Sequence, residues 1–169
     1  MDKNAALIIV DMQNIFLRKN SELIPRVQAL TESWPDQSKI YWLKYRNHPG
    51  SLFEKHLDWS AASVSPEIDL IEGAGQEQTF THYGYAPAQD LIDAIKDKSI
   101  STAYVCGVDT DACVYAAMTV FWDNEIRPIL LEHYTGSSGG QTFHEAAMAL
   151  MTRQFGTKSI VSGPYRAAA

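Results

Sequence analysis

Short, uninterrupted apolar runs constrain the fold of this chain more than any other feature of its sequence. The first run, 5–10, reads AALIIV and contains no polar residue. A strand with one face in water would alternate apolar and polar residues, so this run is typical of a strand covered on both faces in a parallel sheet. Further strands are predicted at 40–45, 79–81, 102–106, 127–131 and 158–161.

Segments with helical periodicity separate these strands. Leu23, Val27 and Leu30 recur at helical spacing within 21–34, and further helices are predicted at 52–59, 87–96, 111–124 and 141–155. Strands that alternate with helices form right-handed βαβ units around a parallel sheet. We therefore predict one domain over 1–169, with a three-layer α/β/α architecture of the Rossmann-like type and about six parallel strands.

Composition excludes several classes of function. The formal net charge is −6 and no Lys/Arg cluster is present, so neither nucleic acid nor a membrane is expected as a partner. No apolar run is long enough for a membrane span, and the first residues lack the layout of a signal peptide. A cytoplasmic protein is therefore expected. The two cysteines, Cys106 and Cys113, cannot provide a disulfide framework.

The segment 103–117 predicts a strand, a tight turn and a helix whose first turn carries Cys113. Unpaired N–H groups at a helix N-terminus favour thiolate over thiol, which makes Cys113 a candidate nucleophile. It would lie at the carboxyl edge of the sheet, where open α/β folds bind ligands. The alternative is a small buried residue, the usual role of a free cysteine. Cys106, within the strand, is assigned to the core.

Acidic residues flank the same predicted edge of the sheet. Asp11 directly follows the first strand, where a carboxylate leaves water unless it is paired, so that its pKa is expected to be perturbed. Asp11 could equally cap nearby amides. Asp109, Thr110 and Asp111 are open to the same two interpretations, because Asp and Thr are ordinary N-cap residues.

Residues 107–114, GVDTDACV, resemble the Gly-Val-x-Thr-Asp-x-Cys-Val signature of the isochorismatase-like cysteine hydrolases. This superfamily includes nicotinamidases and N-carbamoylsarcosine amidases. The resemblance extends to Asp11 and Gln13 after the first strand, to the loop 45–53, and to His144 near the start of the last helix. It implies an isochorismatase-like fold.

The resemblance also implies a catalytic triad of Asp, Lys and Cys. Asp11 would take the thiol proton of Cys113, and the thiolate would attack a carbonyl to form a thioester. A cis peptide bond between Val108 and Asp109 is implied as well. It would direct the N–H groups of Asp109 and Cys113 at the substrate oxygen as an oxyanion hole.

The sequence departs from the family where the lysine should be, since no lysine occurs between Lys55 and Lys96. Aligning Tyr85 with the family's tyrosine places His82 at the lysine position, whereas a shifted register places Phe80 there. His82 is our candidate for the third catalytic residue. It could replace the lysine, it could form only a hydrogen bond within a loop, or the site could have lost its original activity.

The long irregular segment 46–76 is expected to wall a pocket for a small-molecule substrate. The expected substrate-binding residues are Gln13, Arg46, Phe53 and Tyr85. No metal or other cofactor is expected, because Arg46 occupies the position of a carboxylate ligand in metal-binding relatives. His48 and His56 alone make a weak ligand set. Relatives commonly assemble, so a homo-oligomer is expected.

These observations predict a cysteine hydrolase that cleaves a C–N bond of a small amide through a thioester acyl-enzyme. The first alternative is a protein that kept the fold but, lacking the lysine, serves as a small-molecule binder or scaffold. The second alternative is a redox sensor based on Cys113, which the buried position expected for Cys106 disfavours.

Overall fold

A six-stranded sheet forms the centre of the structure, a computed structural model that describes residues 4–75 and 78–165. The strands are β1 (Ala5–Val10), β2 (Ile40–Tyr45), β3 (Thr79–His82), β4 (Thr102–Gly107), β5 (Arg127–Thr135) and β6 (Ile160–Val161). The helices in these ranges are α1 (Leu23–Ser33), α2 (Leu52–Leu57), α3 (Gln89–Asp97), α4 (Tyr115–Asp123) and α5 (Gln141–Phe155). Within the described ranges, none of the helices combines the length and apolar character needed to cross a bilayer.

Alternate residues of β1 pack into two separate cores, one on each face of the sheet. Ile8 belongs to the core beneath α3, α4 and α5, whereas Leu7 and Ile9 belong to the core beneath α1. Because both faces are covered, every position of β1 is buried, which is why this strand is apolar throughout. The predicted three-layer α/β/α architecture with six parallel strands is confirmed.

The strand order β3–β2–β1–β4–β5–β6 reverses direction between β1 and β4. The chain winds outward from β1 through β2 to β3, then crosses to β4 and winds outward on the other side. Every strand pair is parallel, so the carboxyl ends of β1 and β4 open onto one crevice. In open α/β sheets this switch point is the preferred place for a ligand.

The structure differs from the sequence-based prediction in three main places. The predicted last strand, 158–161, is shortened to β6, because Thr157–Ser159 form a 3-10 helix. Strand β5 continues to Thr135, because Glu132 and His133 stay in the strand although their polarity ends the apolar run. The register between β4 and β5 shifts near the end, where Gly107 pairs with Thr135. The predicted helix after β4 begins as a π-helical turn, Thr110–Val114, before α4 proper.

Gly107, at the end of β4, lies so close to the main chain of Val10 at the end of β1 that a side chain cannot be accommodated. Its φ is +109°, and a Cβ would lie 2.0 Å from the Val10 carbonyl oxygen. We expect Gly107→Ala to lower the free energy of unfolding by more than about 2 kcal/mol, since it combines backbone strain with overlap against main-chain atoms. Urea titration measures this. Gly163→Ala, with open space around the site, is the control; equal stabilities of the two variants would contradict the prediction.

Candidate active site

Three polar side chains meet at the carboxyl edge of the sheet. Asp11 follows β1, His82 ends β3, and Cys113 lies in the π-helical turn after β4. One carboxylate oxygen of Asp11, one ring nitrogen of His82 and the Sγ of Cys113 lie within 4.8 Å of one another. The structure therefore brings together the three residues that the sequence proposes as a triad.

The Asp11 carboxylate is buried and held by one of its two oxygens. The residue turns the chain at the end of β1 with a φ of 48°, a conformation that Asp tolerates better than most residues. Its Oδ1 accepts hydrogen bonds from the backbone N–H of Tyr45 at 3.0 Å and from Nε2 of His82 at 2.8 Å. Its Oδ2 is buried without a hydrogen-bond partner in the described residues, and is therefore available to accept a proton.

His82 forms a buried ion pair with Asp11. Its Nδ1 lies 2.7 Å from the carbonyl oxygen of Gly84, which can only accept, so Nδ1 carries a proton. Burial disfavours a positive charge on His82, but the attraction of Asp11 and the hydrogen bonds to Asp11 and Gly84 outweigh burial and raise the pKa of His82. The raised pKa favours the doubly protonated, cationic ring beside the Asp11 carboxylate.

The thiol of Cys113 behaves in the opposite way to the sequence-based expectation. Burial, followed by the negative charges of Asp11, Asp109 and Asp111, raises the pKa of Cys113 well above its ordinary value. Burial, reinforced by the nearby carboxylates, outweighs the partial charges of a helix N-terminus. At neutral pH Cys113 is therefore a thiol, and it needs a base to become a nucleophile.

A second carboxyl group, that of Asp109, lies in the cavity wall. The peptide bond that precedes it is cis. Its Oδ1 accepts from the backbone N–H of Ser138 at 2.7 Å, and its Oδ2 accepts from the Ser138 hydroxyl at 2.6 Å. Burial raises the pKa of Asp109, the bonds from Ser138 oppose this shift, and Asp111 and Asp11 add to it. The turn after β5 thus borders the site through Ser138.

Cys113 opens onto a largely apolar cavity of about 470 Å³, whereas Asp11 and His82 are buried behind it. Its wall is made by Ile15, Phe16, Tyr45, Phe53, Leu57, Trp59, Tyr85, Asp109, Ala112, Cys113 and Ser138. The predicted binding residues Phe53 and Tyr85 both line it, with their ring centroids 5.0 Å apart. As expected, the irregular segment after β2 supplies much of the wall.

Gln13 and Arg46, also predicted to bind substrate, lie outside this wall. Gln13 is fully buried; its amide donates to the carbonyl oxygens of Tyr45 and Ile68 and accepts from the Tyr45 N–H. It therefore ties the loop after β2 to the end of β1. Arg46 is exposed, because the turn out of β2 carries its side chain into solvent. Neither residue is therefore part of the cavity wall in this structure.

Tyr45, at the carboxyl end of β2, is a wall residue that sequence reasoning missed. Its ring centroid lies 5.2 Å from that of Phe53 and 5.6 Å from that of His82. Its buried hydroxyl has no hydrogen-bond partner in the described part of the chain. Burial, and then the charges of Cys113, Tyr85 and Asp11, raise the pKa of Tyr45. Its position at the carboxyl end of β2, the neighbour of β1, is the sequence feature that could have identified it as a wall residue.

Asp11→Asn should lower the pKa of His82, because only the hydrogen bond to Gly84 then opposes the larger effect of burial. In the wild type we expect a value above the unperturbed value of about 6.5, and in the variant a value below it. Stability follows by linkage: the ion pair contributes fully below about pH 6.5 and is lost as the pH rises through the folded-state pKa. The destabilisation by Asp11→Asn should therefore shrink with rising pH.

Histidine ¹H–¹⁵N spectra recorded against pH measure both titrations, and urea unfolding measures the stability difference. The resonance of the exposed His56 serves as an internal control for the fold and the pH scale. An unchanged His82 titration in Asp11→Asn would show that the two groups do not form an ion pair.

Comparison with known proteins places the chain in a family. The model of the isochorismatase domain matches residues 5–159, whereas no curated protein matches the sequence. The pyrazinamidase of Pyrococcus horikoshii, solved in complex with zinc, superposes with a TM-score of 0.79 at 17% identity, covering 93% of this chain and 97% of that one.

Two further structures share the fold. The N-carbamoylsarcosine amidase of Thermoplasma acidophilum has a TM-score of 0.77 at 16% identity, over 90% of this chain and 93% of that one. An isochorismatase-like hydrolase of Alkaliphilus metalliredigens has a TM-score of 0.77 at 20% identity, over 89% and 91%. The domain match spans nearly the whole sequence and agrees with the GVDTDACV motif, and the chain therefore belongs to the isochorismatase family of hydrolases.

Proposed function

We propose that this protein is a cysteine hydrolase that cleaves the C–N bond of a small amide, with Cys113 as nucleophile. The observation that carries the proposal is the cluster of one Asp11 carboxylate oxygen, one His82 ring nitrogen and the Cys113 sulfur within 4.8 Å of one another. The second carboxylate oxygen, Oδ2, is buried without a hydrogen-bond partner in the described residues. A nucleophile and a base this close satisfy the geometric requirement for covalent catalysis. The amidase names among the structural neighbours support the same reaction class.

The reaction begins with proton transfer from the Cys113 thiol to Asp11 Oδ2 while the sulfur attacks the substrate carbonyl. The tetrahedral intermediate collapses, the C–N bond breaks, and the proton on Asp11 passes to the departing nitrogen. A thioester remains on Cys113. Water then attacks it, with Asp11 accepting a proton and returning it to the sulfur, so that an acid and free enzyme are released.

His82 supplies the positive charge in this scheme. As Cys113 loses its proton and Asp11 gains it, one negative charge moves from oxygen to sulfur, and a cationic ring beside both atoms offsets it in either position. A pocket of Asp11 and Cys113 without a cation would strongly oppose thiolate formation. This arrangement favours an active hydrolase over the alternative of a scaffold with a degraded site.

We assign the N–H groups of Asp109 and Cys113 as the donors for the developing oxyanion. Both residues line the cavity. The carbonyl oxygen of Asp109 accepts from Ala112 and Val114 at 3.0 and 3.1 Å, which fixes the turn that carries both donors. Each such donor typically contributes about 3 kcal/mol to transition-state stabilisation.

The redox-sensor alternative receives less support. Cys106, the other cysteine of the chain, is fully buried in β4, and burial raises its pKa. A resolving cysteine must reach its partner and react as a thiolate. Cys106 belongs to the core beneath α1, whereas Cys113 packs against the core on the opposite face of the sheet, so Cys106 meets neither condition.

The cavity also favours one class of amide. Its wall is aromatic and aliphatic apart from Asp109, Ser138 and Cys113 and the tyrosine hydroxyls, so it suits a small planar or apolar acyl group. The Asp109 carboxylate in the wall repels a negatively charged substituent. We therefore propose neutral or cationic small amides, rather than carboxylated ones, as substrates.

Cys113→Ser should reduce kcat by at least about a thousandfold, because a hydroxyl is a far weaker nucleophile under these conditions. A panel of small aromatic primary amides, assayed by ammonia release, provides the measurement. Mass spectrometry of quenched wild-type reactions should detect the acyl group on Cys113. Cys106→Ala is the matched control and should keep its turnover; full turnover in Cys113→Ser would refute the proposal.

Substrate charge provides an independent test of the cavity. For paired benzamides that differ only in a neutral or a carboxylate substituent, we expect kcat/KM at least about tenfold lower for the anion, through repulsion by Asp109. Asp109→Asn should narrow this gap. Asp111→Asn removes an exposed charge from the same turn and should leave the gap nearly intact. Equal rates for both amides in the wild type would contradict the assigned role of Asp109.

A further inference from the structure

The cluster that carries the proposed chemistry also has the donor set of a metal site. In the described residues, Asp11, His82 and Cys113 form a group of three metal-capable side chains, offering one oxygen, one nitrogen and one sulfur. Thiolate and imidazole donors suit zinc, whereas magnesium and calcium prefer oxygen alone. A lysine in place of His82 would present a fixed positive charge instead of a lone pair.

We propose that Asp11, His82 and Cys113 bind a zinc ion, and that the bound ion holds Cys113 in a form that cannot attack a substrate. The binding step stands on the geometry of the three side chains. The inhibitory consequence rests on the proposed hydrolase function.

The spacing of the donor atoms fits this assignment. Around tetrahedral zinc, bonds of about 2.0 to 2.3 Å place ligand atoms about 3.3 to 3.8 Å apart. The atoms of Asp11, His82 and Cys113 lie within 4.8 Å of one another before any ion is bound. Side-chain adjustments of about 1 Å bring them to the required separation.

Two of the donors are already oriented by outer hydrogen bonds. The bond from Nδ1 of His82 to the Gly84 carbonyl, at 2.7 Å, selects the tautomer that presents Nε2 to the cluster. A backbone carbonyl in this position is a common partner of a zinc-bound histidine. The Tyr45 N–H anchors Oδ1 of Asp11 at 3.0 Å, while the buried Oδ2 has no partner in the described chain and is free to coordinate.

Because Cys113 lies in the cavity wall, we place the fourth coordination position on the cavity side. Three protein ligands with one open position is the arrangement of accessible zinc sites. Coordination requires Cys113 to release its thiol proton and His82 to release its Nε2 proton, both to solvent, and no electron is transferred. The sulfur lone pair then lies on zinc and Asp11 Oδ2 is engaged, so neither the nucleophile nor the base is available.

Titration of the full chain with zinc chloride, followed by calorimetry, tests binding without any substrate. We expect one high-affinity ion per chain and no comparable binding of magnesium chloride. Cobalt(II) in place of zinc should give the intense thiolate-to-cobalt absorption band that reports a metal–sulfur bond. Absence of a high-affinity zinc site would overturn the proposal.

The variants His82→Lys and Cys113→Ser should each weaken zinc binding by at least about 100-fold, and the cobalt–sulfur band should vanish in Cys113→Ser. His56→Gln, which removes an exposed histidine, is the matched control and should bind zinc like the wild type. If either variant fails to fold, iodoacetamide alkylation of wild-type Cys113 provides the same loss of a ligand. Undiminished binding after these changes would also overturn the proposal.

Inhibition is measured separately on any amide that the wild type turns over. Stoichiometric zinc should abolish turnover, EDTA should restore it, and His82→Lys should resist zinc to the extent that it turns over the amide. Zinc binding without any amide turnover would count against the hydrolase but leave the metal site intact. Turnover that is insensitive to bound zinc would refute the inhibitory role alone.

Discussion

A single buried oxygen, Oδ1 of Asp11, links three adjacent strands of the sheet. Asp11 lies at the end of β1, and its Oδ1 accepts one hydrogen bond from the backbone N–H of Tyr45 at the end of β2 and another from Nε2 of His82 at the end of β3. Burying two opposite charges carries a desolvation penalty that their attraction only partly offsets. The hydrogen bonds from Tyr45 and to Gly84 satisfy further polar atoms, and they fix the orientation on which both the proposed catalysis and the proposed metal binding depend.

The fold was predictable because the burial of its central strands on both faces requires apolar residues that can be recognised in the sequence. Strands covered on both faces are mainly apolar, and β1 shows this directly. The second half of β5 was not predicted, because Glu132 and His133 interrupt the apolar run. Both residues are half-buried and stay in the strand through main-chain pairing. Main-chain hydrogen bonds at a register shift do not depend on side-chain type, so the residues that form them show no hydrophobic periodicity in the sequence.

The positions of Asp11, His82 and Cys113 followed from the motif and the strand ends, but their electrostatics did not. A helix N-terminus is visible in sequence, whereas the charges of Asp109 and Asp111 around the Cys113 sulfur depend on how the turn folds. Gln13 illustrates a related limit. Its place after β1 predicts proximity to the site, yet its amide is fully used in holding the loop that carries Ile68.

The anchor of Asp11 on Tyr45 uses the main chain of residue 45 and not its side chain. Any amino acid except proline at this position can therefore supply the same N–H, while its side chain shapes the wall of the cavity. At this one position, the main chain holds the Asp11 carboxylate and the side chain forms part of the ligand cavity. Exchanging residue 45 therefore changes the shape of the cavity wall and the packing against His82, while the main-chain N–H continues to hold the carboxylate.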